Sequence, residues 1–146
     1  MTKYKFRLQK LLDIKVKEEE ESKIEYTKAQ NDKKVLEDNI KKLDSSYKKY
    51  AQFTDLEDTI SQKVRLNYLH SISQTIEQSN KILEEKERIV VEAKDKFIEK
   101  QINRKSLETL KENKFIKLRK EEARKEQIEN DEFALYAYIS NKKNIS

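Results

Sequence analysis

Leu36-Glu-Asp-Asn-Ile40-Lys-Lys-Leu43-Asp-Ser-Ser-Tyr47-Lys-Lys-Tyr50 places an apolar or aromatic residue at alternating steps of four and three, with charged and polar residues between them. That spacing keeps one narrow stripe on one side of an α-helix. Followed toward the N-terminus, the stripe continues through Lys33, Ala29, Tyr26, Ser22, Glu19, Lys15, Leu12 and Leu8, and nine of its thirteen positions are apolar or aromatic. A helix A over about 4–52 is expected. At about 1.5 Å per residue it would be on the order of 70 Å long, too thin to bury its own stripe, so it requires a second helix.

The second helix is supplied downstream. A weaker seam runs from Leu69, Ile72, Ile76, Ser79 and Leu83 through Val90, Ala93, Phe97, Leu107 and Leu118 to Ile128, Leu135 and Ile139, with twelve of its twenty-one positions apolar. Two long heptad segments separated by a short irregular one predict an all-α fold, a long antiparallel two-helix coiled-coil hairpin with a short helix or bend near the turn. The interruption falls at Phe53, Thr54 and Asp55, where Thr54 and Glu57 have the form of a capping box; Ser71 with Gln74 offers a second helix start. A short helix B over about 55–70 and a helix C over about 72–140 follow, within a single coiled-coil domain spanning 1–146.

Polar seam residues cluster at Lys15, Glu19, Ser22 and Lys33 on helix A and from Lys100 to Glu132 on helix C. An antiparallel hairpin brings these stretches together, so the rod is expected to be weakly zipped near the termini and better packed toward its middle. Pairs with the acid first, such as Asp44 to Lys48, Glu84 to Arg88 and Glu92 to Lys96, support the helices by only about 0.2–0.5 kcal/mol each.

Composition narrows the function. Gly, Pro, Cys and Trp are all absent from the 146 residues. Without Gly there is no phosphate-cradling loop, and without Cys no disulfide, thiolate nucleophile or Cys-ligated metal. His70 is the single histidine, so no imidazole pair or relay can form. The Glu18 to Glu21 run reads as a solvated helix face rather than a metal or acid–base site. No enzyme activity, cofactor or metal is expected. No apolar run reaches the ~18–20 residues of a membrane span, and a cytoplasmic protein is expected.

Charge is uneven. Residues 1–53 hold 14 basic and 10 acidic side chains, residues 54–103 hold 8 and 10, and residues 104–146 hold 11 and 8. The end carrying both termini is therefore positive and the turn end slightly negative. Because acids interleave the bases, no basic stripe suited to nucleic acid is present, and an acidic protein surface is the better partner.

Three stretches carry a family resemblance. Tyr4-Lys-Phe-Arg-Leu-Gln-Lys-Leu-Leu-Asp13 resembles the N-terminus of the bacterial flagellar export protein FliJ family. Arg119-Lys-Glu-Glu-Ala-Arg-Lys-Glu-Gln127 followed by Asn130-Asp-Glu-Phe-Ala134 resembles that family's C-terminal stretch, and Asn67-Tyr-Leu-His-Ser-Ile-Ser-Gln-Thr-Ile-Glu77 its middle segment. The resemblance implies a component of the flagellar type III export apparatus at the cytoplasmic face of the basal body, similar to the γ stalk of rotary ATPases. Its implied partners are the hexameric export ATPase FliI and the export gate FlhA, with export chaperones as further partners in a chaperone-escort role.

On that matching, Ile72, Ile76, Ser79 and Leu83 fall at the gate-contact positions, with Ile where the family can carry an aromatic and Leu where it can carry a histidine. By spacing alone these four read as coiled-coil core; if helix C projects past the end of helix A, that face instead lacks a partner in its own chain and is free to dock. Phe6, Arg7, Leu8, Leu12, Arg119, Arg124, Asp131, Glu132 and Phe133 are the candidates for binding the ATPase ring. Their alternative role is terminal packing and solvated charge. Two rival functions share the fold: a chaperone or adaptor that opens to hold helical clients, and the equivalent stalk of a virulence type III secretion system.

Overall fold

A computed structural model describes residues 3–52 and 58–145. Two helices make up nearly all of it, α1 (Gln9–Tyr50) and α2 (Thr59–Ile145), and no strand occurs among the described residues. With neither Gly nor Pro in the sequence, no position removes a helix hydrogen bond or relaxes the backbone, so both helices run uninterrupted. The architecture is the antiparallel two-helix hairpin that the two seams predict.

The helix ends differ from the sequence expectation in instructive ways. α1 starts at Gln9 rather than near residue 4, because Phe6 is drawn into the packed surface at 7% exposure and the chain turns there, with the Gln9 N–H donating to the Phe6 carbonyl at 3.1 Å. The separate helices B and C are one helix. Ser71 lies inside α2, where its carbonyl accepts a hydrogen bond from the Thr75 hydroxyl at 2.9 Å, so the Ser71 and Gln74 pattern starts nothing. A capping pattern needs a chain that changes direction, and nothing forces one here. The Thr54 and Glu57 box lies outside the described residues.

Asp58 caps α2. Its carbonyl accepts from Gln62 N–H at 3.0 Å and its carboxylate from Ser61 N–H at 2.8 Å, the geometry of an N-cap. Hydrogen bonds from the Ser61 side chain and backbone hold the Asp58 carboxyl below its ordinary range. A lowered folded-state pKa makes the cap fully effective at neutral pH, and it is lost in acid as pH falls through that lowered value. Backbone chemical shifts of residues 59–62 should therefore lose helical character in acid. Asp58→Asn, which caps without a titrating group, should abolish that pH dependence; an unchanged acid transition in the variant would refute the assignment.

Packing divides the chain into two compact units, residues 16–101 and residues 1–15 with 102–146. In the first, Tyr50 meets Tyr68 edge to face at 5.0 Å, Tyr26 stacks on Phe97 at 6.2 Å, Glu25 pairs with Lys96 at 3.2 Å and Glu18 with Lys100 at 3.3 Å. As numbers fall along α1 they rise along α2, which defines an antiparallel pair. Two helices alone cannot enclose a side chain completely, and the most buried residues here, Ser22 (3%), Ile72 (5%) and Ala29 (8%), all lie on the expected seams. Small Ser22 and Ala29 flank the Tyr26 ring one turn to either side, a large and small alternation that lets the seam interdigitate.

The stretch 15–33 is thus closed, not weakly zipped. Ser22 is accommodated by its small size, and the polar seam position Lys100 on the facing helix by pairing with Glu18. Among the acid-first pairs, Asp44 with Lys48 forms at 3.2 Å, whereas Lys96 turns to Glu25 on the other helix and Arg88 is forked between Glu85 and Glu92.

Candidate functional site

In the unit formed by residues 1–15 and 102–146, the N-terminal residues bind α2 through a set of specific contacts. The Tyr4 hydroxyl donates to the Lys111 carbonyl at 2.9 Å, and its ring meets Phe115 edge-on at 5.4 Å. Lys111 Nζ donates to Gln9 Oε1 at 2.7 Å, and Gln9 Nε2 donates to Asp13 Oδ1 at 2.9 Å. Arg119 lies over the Phe115 ring at 5.0 Å and reaches Glu122 at 3.3 Å. Ring face, guanidinium and carboxylate together hold the Arg119 fork at the surface in one orientation.

The nine candidate ring-binding residues therefore separate by environment. Phe6 and Leu12 are buried at 7% and 5%, and Leu8 is half-buried, so these three build the unit rather than present a surface. Arg119 is half-buried and oriented, while Arg7, Arg124, Asp131, Glu132 and Phe133 are exposed.

Among the described residues, the last half-buried position on α2 is Glu122. From Ala123 to Asn144 every residue is exposed, including Phe133 (76%), Tyr136 (75%), Tyr138 (64%) and Leu135 (61%). This is where the expected looseness of the polar-seam stretch is found. Within it, Phe133-Ala-Leu-Tyr-Ala-Tyr-Ile139 is an uncharged run preceded by Asp131 and Glu132 and followed by Lys142 and Lys143. Exposed aromatic side chains at this density mark an interaction surface. Tyr136 and Tyr138 were not singled out by periodicity, because the seam runs through Leu135 and Ile139; the uninterrupted run of uncharged residues was the available signal.

At the other set of candidates the structure corrects a premise. The face carrying Ile72, Ile76, Ser79 and Leu83 is not left open by its own chain: Ile72 is 5% exposed and the other three are half-buried. Tyr50 and Tyr68 pair one turn before Ile72, so α1 reaches far enough to cover it. The exposed apolar surface nearby lies just before that face. Ile60 (73%), Val64 (64%) and Tyr68 (46%) border an open groove with Tyr50 and Arg65, and Arg65 donates to the Gln52 carbonyl at 2.6 Å. The seam read from sequence starts at Leu69 and so passed over these residues.

His70 is exposed, and Glu18 is engaged by Lys100. The Glu85 carboxyl is held below its usual range by its hydrogen bond from Arg88, an interaction of the exposed helix surface. No cluster of His, Asp or Glu able to hold a metal occurs among the described residues, and none of their helices is long and apolar enough to cross a membrane.

Comparison with known proteins gives one family. The model of the flagellar FliJ protein family matches residues 4–143. No curated protein and no solved structure matches.

Proposed function

The chain belongs to the flagellar FliJ protein family, a component of flagellar export, and from that premise we propose that it is a non-enzymatic coiled-coil stalk joining the FliI ATPase ring to the FlhA export gate at the cytoplasmic face of the basal body. The observation that carries this reading is the α2 stretch 123–144, a helix that continues past its own packing and exposes Phe133, Tyr136 and Tyr138. A helix left without an intrachain partner presents side chains around its circumference, which suits a site that surrounds it better than a flat surface. Arg124 and the oriented Arg119 supply directional donors for ring carboxylates, Asp131 and Glu132 the complementary acceptors, and Phe133 an aromatic anchor.

The chain's role in nucleotide hydrolysis is then mechanical. One asymmetric stalk cannot meet six equivalent subunits alike, so its contacts favour some nucleotide states over others. The gate contact is assigned to the outward-facing parts of Ile76, Ser79 and Leu83, with Ile72 fixing that face from within. Export chaperones are held by the same exposed segment in the escort role.

FliI hydrolysis rates measured with the wild-type chain and with Arg124→Ala combined with Phe133→Ala test the proposal. Both residues are exposed, so the variant should keep its helix content while the concentration needed for half-maximal stimulation rises at least about tenfold. A variant that stimulates like the wild type, or a wild-type chain without effect on FliI, would overturn it.

A further inference from the structure

Within 123–144, one face has a pattern that determines its own partner. At about 100° per residue, Asp131, Glu132, Leu135, Ile139, Lys142 and Lys143 fall inside an arc of about 140°. Read along the seam, Glu132, Leu135, Ile139 and Lys142 follow steps of three, four and three: acid, apolar, apolar, base. Phe133 points to the opposite side of the helix.

We propose that this face pairs with the same face of a second copy of the chain, antiparallel, about a twofold axis at the level of residue 137. In that arrangement Glu132 faces the partner's Lys142 and Leu135 packs on the partner's Ile139. The symmetry repeats each contact, as an isologous interface requires. A parallel pair would set Glu132 on Glu132 and Lys142 on Lys142, so charge selects the antiparallel form. With residues 131–143 in contact, the interface is smaller than the ~20–30 residues a side of a standard one, and the association is weak and concentration-dependent. It rests on this face alone and not on the ring-binding reading, since it is tested without FliI.

Sedimentation of the full chain across about 1 μM to 1 mM reads it out. Dimer should accumulate with concentration, and Glu132→Lys or Lys142→Glu alone should weaken it at least about tenfold. The double variant Glu132→Lys with Lys142→Glu, which restores opposite charges across the axis at unchanged net charge, should recover wild-type association. Leu135→Asp should abolish it. A chain monomeric throughout, a dimer indifferent to either single reversal, or a double variant that stays monomeric would each overturn the proposal.

Discussion

Ile72→Asp should destabilise the chain by on the order of 4 kcal/mol, a large share of the 5–15 kcal/mol that holds an ordinary domain together. Ile72 is 5% exposed and lies one turn beyond Tyr68, where the Tyr50 and Tyr68 rings meet. The substitution removes a buried aliphatic side chain and puts a carboxylate without an assigned partner in the seam, two mechanisms that each produce large losses. Ile60→Asp is the control: Ile60 is 73% exposed, and the same change there should stay within about 0.5 kcal/mol. Urea denaturation followed by helical circular dichroism distinguishes them, and equal stability of the two variants would show that the 72 face is not packed as described. Loss of gate binding in Ile72→Asp would therefore report lost packing, not a lost contact.

Phe6→Ala is expected to cost about 3–4 kcal/mol, at the level of a buried aromatic. Phe6 precedes α1, and its carbonyl receives the Gln9 N–H; its side chain borders a shallow groove with Tyr4, Gln9 and Lys111. Removing it frees the non-helical residues 3–6, so the Tyr4 hydrogen bond to Lys111 and the Tyr4–Phe115 contact are lost with it. Hydrogen exchange should therefore rise along residues 9–15 and 105–119 together. Phe133→Ala, at 76% exposure, should leave stability unchanged within about 0.5 kcal/mol. If the two alanine variants melt alike, the division of the aromatic candidates into builders and presenters fails.

Much of the hairpin is legible in the sequence because a two-helix seam depends on a single periodicity. Leu12, Ser22, Ala29 and Ile72, the residues most buried within the helices, all lie at expected seam positions. The register is not legible, since a heptad pattern is satisfied by any slip of seven residues. It is fixed by particular meetings, Tyr26 on Phe97 and Glu25 with Lys96, that depend on side-chain shape and reach. Periodicity also marks a face without naming what covers it. Ile72 and Leu135 occupy equivalent places in one continuous pattern, yet the first is buried by its own chain and the second is 61% exposed. By spacing alone the 72–83 face fits coiled-coil core as well as an open surface, and it is covered; looseness is expected near the termini, and it is found over 123–144. Phe6 and Tyr4 show a further limit, since residues ahead of a helix follow no period and their packing depends on a turn the sequence does not announce.

On the proposed function, residues 123–144 of α2 form the part of this chain that a partner covers. Hydrogen exchange of the full chain, alone at low concentration and then with FliI, tests it most directly. Exchange should be fast over 123–144 in the free chain, slow over the packed stretch of residues 16–40, and markedly slowed over 123–144 when FliI is added. Slow exchange over 123–144 in the free monomer, or protection by FliI that leaves this stretch untouched, would contradict it.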